Sequence, residues 1–166
     1  MLMTEKRASR KSKPTVLDIF CGAGGMSLGF KNAGCNILGG IDHNRYAIET
    51  HHQNFPSSKL KLPHQDIRNI QDLNKLGLNT GEVDILVGGP PCQVFSLVGI
   101  GKMRQLGRDI ASDHRNFLYK EFVRFVAHYK PLCFVMENVD NLAKKEEIIL
   151  QIQKDFSSSD CKSYPG

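Results

Sequence analysis

The sequence predicts an α/β fold built on a parallel sheet, and three observations carry that reading. Short apolar runs of strand character recur at 15–20, 36–41, 83–87 and 132–136; helical patterns separate most of them; and each delivers a glycine, an acid or a cysteine just past its carboxyl end. Strands alternating with helices build βαβ units, and ligands of such open sheets bind beyond the strands' carboxyl ends. The chain is organised around Gly88-Gly89-Pro90-Pro91-Cys92-Gln93-Val94-Phe95-Ser96. The glycines permit close backbone approach and the prolines fix φ, so Cys92 is expected on a stiff turn past a strand end. Taken alone, Cys92 also reads as an ordinary buried cysteine.

At 166 residues and 40% hydrophobic, the composition is that of one soluble domain. No apolar run reaches transmembrane length and the first residues lack a secretory signal, so a cytoplasmic protein is expected. The five cysteines are widely spaced without a C-x-x-C pair, which argues against zinc or disulfide work, and His43, His51 and His52 show no ligand spacing. No metal is expected. Lys6, Arg7, Arg10, Lys11 and Lys13 against Glu5 hold most of the +5 net charge. The basic excess therefore reads as an N-terminal arm over 1–13, disordered or touching phosphates.

In chain order, the strand 15–20 leads into Cys21-Gly22-Ala23-Gly24-Gly25-Met26-Ser27, a glycine-rich turn opening a helix. Such turns bring backbone N–H groups close to nucleotide-like ligands, or only tighten the chain. The run lacks both a triphosphate-binding Gly-Lys-Ser/Thr ending and a strict G-x-G-x-x-G. A second strand, 36–41, ends at Asp42, about twenty residues past the turn, where an acid reaches ribose hydroxyls; capping the helix predicted over 44–53 is the other reading of Asp42. A third short strand is expected within 59–67, reaching Asp66 and Ile67, then an amphipathic helix over 71–78 closed by Asn79, Thr80 and Gly81. Asp66 reads as an acceptor for an amine or as a turn aspartate. From 93 to 114 the chain is irregular, with Gly99, Gly101 and Gly107 as hinges and Lys102, Arg104 and Arg108 as cations, which reads as a lid or as a disordered loop. The stripe Phe117, Leu118, Phe122, Phe125 and Val126 marks a helix over 116–129 with a core face. A buried strand, 132–136, delivers Glu137, and a helix runs from 144 to about 156.

Asp18-Ile19-Phe20-Cys21-Gly22-Ala23-Gly24-Gly25, Gly89-Pro90-Pro91-Cys92-Gln93-Val94-Phe95-Ser96 and Glu137-Asn138-Val139 resemble, in order and spacing, the motifs of the cytosine-5 DNA methyltransferases. The likeness covers about 14–141, and Asp66-Ile67 and Asp113 to Leu118 resemble secondary motifs. It implies a Rossmann-like fold dependent on S-adenosylmethionine, with Cys92 as nucleophile on cytosine carbon 6 and Glu137 as the group at ring nitrogen 3. It further implies a cofactor site of Phe20, Gly22, Gly24, Gly25, Asp42, Asp66, Ile67, Pro91 and Leu118, and contacts of Gln93 and Ser96 with double-stranded DNA carrying a flipped-out base. The bacterial restriction-modification enzymes are the nearest branch by the serine-ended cysteine motif.

Parts that family members carry later in their chains, including the target-recognition region and the last strands of the sheet, have no counterpart after Asn141. The chain is accordingly expected to be an N-terminal portion, 14–166, of a catalytic domain, with 132–136 as an unpaired apolar edge. A fragment, a truncated gene and one subunit of a split enzyme completed by a second polypeptide all fit. A transfer-RNA methyltransferase, a silent cofactor-binding subunit, and a redox or nucleotide-binding protein using Cys92 as a plain thiol are the competing readings.

Overall fold

The computed structural model describes residues 12–60, 64–91, 118–138 and 146–158. Among them, β1 (Thr15–Ile19), β2 (Asn36–Ile41), β3 (Ile85–Gly88) and β4 (Cys133–Met136) form one parallel sheet in the order β2-β1-β3-β4. Helices α1 (Gly25–Asn32), α2 (Arg45–Asn54), α3 (Leu118–Tyr129) and α4 (Glu146–Ser158) accompany it. The chain leaves β1 toward one side to build β2 and returns to its other side as β3. The strand order thus reverses at β1, and a crevice opens there beyond the carboxyl ends.

β1 is central, and its Val16, Leu17, Asp18 and Ile19 are all fully buried. Its register with β2 jumps from Val16 opposite Ile37 to Leu17 opposite Gly39, so Leu38 is an extra residue on the β2 side and locally bends the pair. The carboxyl end of β3 lies so close to β1 that a side chain at Gly88 would meet the Ile19 carbonyl. At the opposite end, Asp84 accepts from the Thr15 N–H at 3.0 Å and its hydroxyl at 2.9 Å, tying β1 to β3.

The stripe predicted on α3 does face the core: Phe122, Phe125 and Val126 are fully buried. So is Tyr129, whose hydroxyl donates to the Leu73 carbonyl at 3.0 Å and pins α3 to the loop before β3.

Three expectations are corrected. The strand within 59–67 does not form among the described residues. The Lys59 N–H donates to Leu38, and the Gln65 N–H to Asp42, but only Asp42 and His64 make a bridge.

The helix over 71–78 is instead a 3-10 turn, Leu73–Leu76, preceded by a second one, Ile67–Asn69. Asp72 caps its start through the Asn74 N–H and Gly77, at φ +79°, ends it, leaving room for one turn between the two signals. Finally, β4 is an edge strand with Leu132 58% and Val135 45% exposed, because β3 is its only sheet neighbour among the described residues. Its apolar sequence matches the expected edge and not a buried strand. The arm up to residue 11, the segment 93–114 read as a lid or a loop, Asn116, Phe117, Val139, Lys144 and the end of the chain from 159 lie outside the described residues.

Candidate functional site

A cleft of about 200 Å³ opens at the carboxyl ends of β1, β2 and β3. Phe20 enters it from the end of β1; Ile41, Asp42 and His43 from β2; Gln65, Asp66, Ile67 and Arg68 from the first 3-10 turn; Pro91 from beyond β3; and Leu118 from the start of α3. Six of the residues expected in a cofactor site, Phe20, Asp42, Asp66, Ile67, Pro91 and Leu118, therefore share one wall-and-floor set. Phe20 occupies the left-handed region at φ +61°, a conformation costing a side-chain-bearing residue about 1–2 kcal/mol. This backbone turn carries the ring off the end of β1 and into the cleft.

Asp42 links two elements. Its Oδ2 accepts from the Gly22 N–H at 2.9 Å and its Oδ1 from the Asn44 N–H at 2.8 Å, with His43 Nδ1 3.3 Å away. The carboxylate fastens the glycine turn to the end of β2 and retains acceptor capacity toward the cleft. It is not the helix cap. Asn44 caps α2, accepting from the N–H groups of Tyr46 and Ala47 at 3.0 and 3.2 Å.

The glycine turn lies beside the cleft, and Gly22, Gly24 and Gly25 do not line it. Gly22 (φ +53°) and Gly24 (φ +98°) are left-handed; Gly25 has no positive φ and nothing near its Cβ position. Beneath the turn sits a polar cluster that the sequence reading did not single out. Ser27 donates from N and Oγ to Asp18 Oδ2, at 3.1 and 2.7 Å, and its Oγ lies 3.1 Å from His51 Nε2. Since the Ser27 hydroxyl proton goes to Asp18, His51 donates from Nε2. Asp18 Oδ1 has no partner among the described residues, and burial pushes the Asp18 carboxyl up to about 6. Burial lowers His51 to about 4, so it stays neutral. An aspartate inside an apolar strand was the available signal.

Asp66 is held on both oxygens. Arg68 donates from its backbone N (3.0 Å) and Nε (2.9 Å) to Oδ1, and from Nη2 (2.5 Å) and Nε (3.1 Å) to Oδ2. Those bonds hold the Asp66 carboxyl below the usual range. In the sequence the segment reads as a strand and a connection, which hides Arg68; the 3-10 turn folds it back over Asp66.

Glu137 stands past β4, exposed and outside the cleft lining. Its N–H donates to Gly88 O at 2.9 Å, the Asn138 side chain donates to Pro90 O at 3.2 Å, and Glu137 Oε2 lies 2.9 Å from where a Gly89 Cβ would be. Gly89, having no Cβ, thus leaves room for the Glu137 carboxylate beside its backbone. Cys92, the next residue, lies outside the described residues, as do Gln93 and Ser96. Among the described residues no cluster of His, Cys, Asp or Glu could hold a metal ion, and no helix is long and apolar enough to cross a membrane.

The family model for C-5 cytosine-specific DNA methylases matches residues 14–164. Type II methyltransferase M1.HphI of Haemophilus parahaemolyticus is 43% identical over 129 residues, covering 77% of this chain and 33% of that protein. Type II methyltransferase M.DdeI of Desulfomicrobium norvegicum is 38% identical over 141 residues, covering 85% and 31%. The crystal structure of an E. coli prophage-encoded protein described as a DNA modification methyltransferase superposes with a TM-score of 0.65 at 32% identity, over 87% of this chain and 37% of that one. The chain spans about a third of the length of each of these proteins. With a match from Pro14 almost to the last residue, a shared methyltransferase α/β fold and these identities, the chain belongs to the C-5 cytosine-specific DNA methylase family.

Proposed function

We propose that this chain is the portion of a DNA cytosine-5 methyltransferase that holds S-adenosylmethionine and carries the residues that attack the base. The cleft at the reversal of the strand order carries this reading. Its apolar surfaces, Phe20, Ile41, Ile67, Pro91 and Leu118, suit the faces of a purine, and its two carboxylates, Asp42 and Asp66, are acceptors suited to ribose hydroxyls and an exocyclic amine. The left-handed Gly22 brings backbone, without a Cβ atom, up beside Asp42. These residues fit the cofactor, which when bound supplies an electrophilic methyl group.

The rest of the chemistry falls to this chain's own side chains. Cys92 adds to carbon 6 of the cytosine, and Glu137 neutralises charge at ring nitrogen 3 so that carbon 5 becomes nucleophilic. Carbon 5 takes the methyl group, a base removes its proton, and the bond from carbon 6 to sulfur breaks to release Cys92. Cytosine in a duplex hides these atoms, so the base must be turned out, with Gln93 and Ser96 contacting the DNA around it. Double-stranded DNA is the proposed substrate and the cytoplasm the proposed compartment, and the type II relatives favour a restriction-modification role.

The test is covalent trapping: the full chain is mixed with cofactor and 5-fluorocytosine placed in DNA or in RNA. An adduct on DNA that vanishes in Cys92→Ala is expected. Adduct on RNA alone would move the substrate class, and adduct persisting in Cys92→Ala would remove the nucleophile assignment.

A further inference from the structure

The Asp66 carboxylate is a poor reader of anything unless its plane is fixed, since it sits on a three-residue 3-10 turn, and its side chain is 30% exposed. One backbone bond, from the Arg68 N–H, caps the turn but leaves the second oxygen unheld. The Arg68 side chain supplies the rest, engaging both oxygens with its planar fork. Counting lone pairs shows what remains. Oδ1 accepts from N at 3.0 Å and Nε at 2.9 Å, and Oδ2 accepts from Nη2 and from Nε at 3.1 Å. The single Nε–H is shared between the two oxygens, so each holds one full bond and the fixed carboxylate keeps room for a further donor.

Resting on the cofactor reading above, we propose that Arg68 is a positioning residue: it presents the Asp66 carboxylate as a fixed acceptor, and thereby makes the cleft select a purine bearing a 6-amino group over one bearing a 6-oxo group. An amine donates to that carboxylate; an oxo group brings a second acceptor against it. A site built to pair with one group rejects the analogue that leaves it unpaired. Arg68 and Asp66 both line the cleft beside Ile67, so the fixed carboxylate and an apolar side chain are offered together.

The test uses the full chain and two ligands differing only at that position, S-adenosylhomocysteine and its S-inosyl counterpart, each titrated calorimetrically into the unchanged protein, Arg68→Ala and Arg68→Lys. The unchanged protein should prefer the amino ligand by about tenfold or more, the size expected for a hydrogen bond to a charged group. Arg68→Ala should collapse that ratio toward one, and Arg68→Lys, which keeps the charge without the fork, should restore it only partly. Melting curves confirm folding; the pair is partly exposed, so stability should change little. A ratio unchanged in Arg68→Ala overturns the positioning role while leaving the cofactor site in place. A ratio inverted toward the amino ligand's disadvantage in the unchanged protein would mean that the Arg68 guanidinium itself reads the base, and overturns the proposal too. Binding of neither ligand by the unchanged protein overturns the cofactor reading itself, and this proposal with it.

Discussion

Three glycines within four residues, Gly22, Gly24 and Gly25, should respond to alanine quite differently. At Gly24 a Cβ would lie 2.7 Å from Phe55 Cε2 and 2.9 Å from His51 Cδ2. Neither ring has room to yield: Phe55 is 3% and His51 1% exposed, and the two rings pack at 4.6 Å. Gly24 also sits at φ +98°. Left-handed strain of about 1–2 kcal/mol and overpacking of about 1–3 kcal/mol give Gly24→Ala a loss of about 2–5 kcal/mol. That is a large share of the ~5–15 kcal/mol by which domains are stable. Gly22 carries the strain, at φ +53°, but nothing lies within 4 Å of its Cβ position, so Gly22→Ala should lose about 1–2 kcal/mol. Gly25 begins α1 with neither constraint, and Gly25→Ala should be neutral or gain up to about 1 kcal/mol. Urea denaturation midpoints at constant slope measure all three. If Gly25→Ala cost as much as Gly24→Ala, the turn would not have the backbone described and the reasoning would fail.

Asp42→Ala should weaken S-adenosylmethionine binding by about tenfold or more, whereas Asn44→Ala should cost about 1 kcal/mol of stability and leave affinity unchanged, by calorimetry and urea titration. The reverse pattern would make Asp42 a structural residue. His51 titrates lower in the folded protein, at about 4, than its ordinary 6.5, so the folded state binds fewer protons and its contribution is lost as pH falls from about 6.5 through 4. Asp18, raised to about 6, does the opposite, losing stability as pH rises from about 4 to 6. Each effect amounts to at most about 3 kcal/mol, and in His51→Gln the Asp18 trend should stand uncovered, with stability falling between pH 4.5 and 6; a rise over that interval would contradict the assignment. Glu137→Gln should slow methyl transfer far more than it weakens cofactor binding in the same preparation, and an equal loss of both would make Glu137 structural.

The parts of the fold legible in the sequence are those where one local signal sufficed. β2 appeared at 36–41 as read, and the Phe122, Phe125 and Val126 stripe marked the buried face of α3. Asp42 and Asp66 could be picked out because acids follow apolar runs there, yet their partners could not. Gly22 is brought to Asp42 by parallel pairing of β1 with β2, and Arg68 to Asp66 by a 3-10 turn that looks like extended chain in the sequence. The Asp18, Ser27 and His51 cluster joins three elements and has no spacing of its own. At 71–78 the apolar pattern allowed a helix, but Asp72 and Gly77 act as start and stop with four residues between them. The exposure of β4 was legible as an edge only from what the resemblance said should follow it, since its residues alone read as buried.

The cleft formed by Phe20, Asp42, Asp66, Ile67, Pro91 and Leu118 is the proposed cofactor site. Calorimetric titration of S-adenosylmethionine into the purified full chain measures it, with methyl transfer to mixed-sequence DNA assayed in the same sample. Saturable binding at one site per chain, lost when Phe20 is changed to alanine, is the result this account predicts. Absence of binding by a chain that melts cooperatively would contradict it.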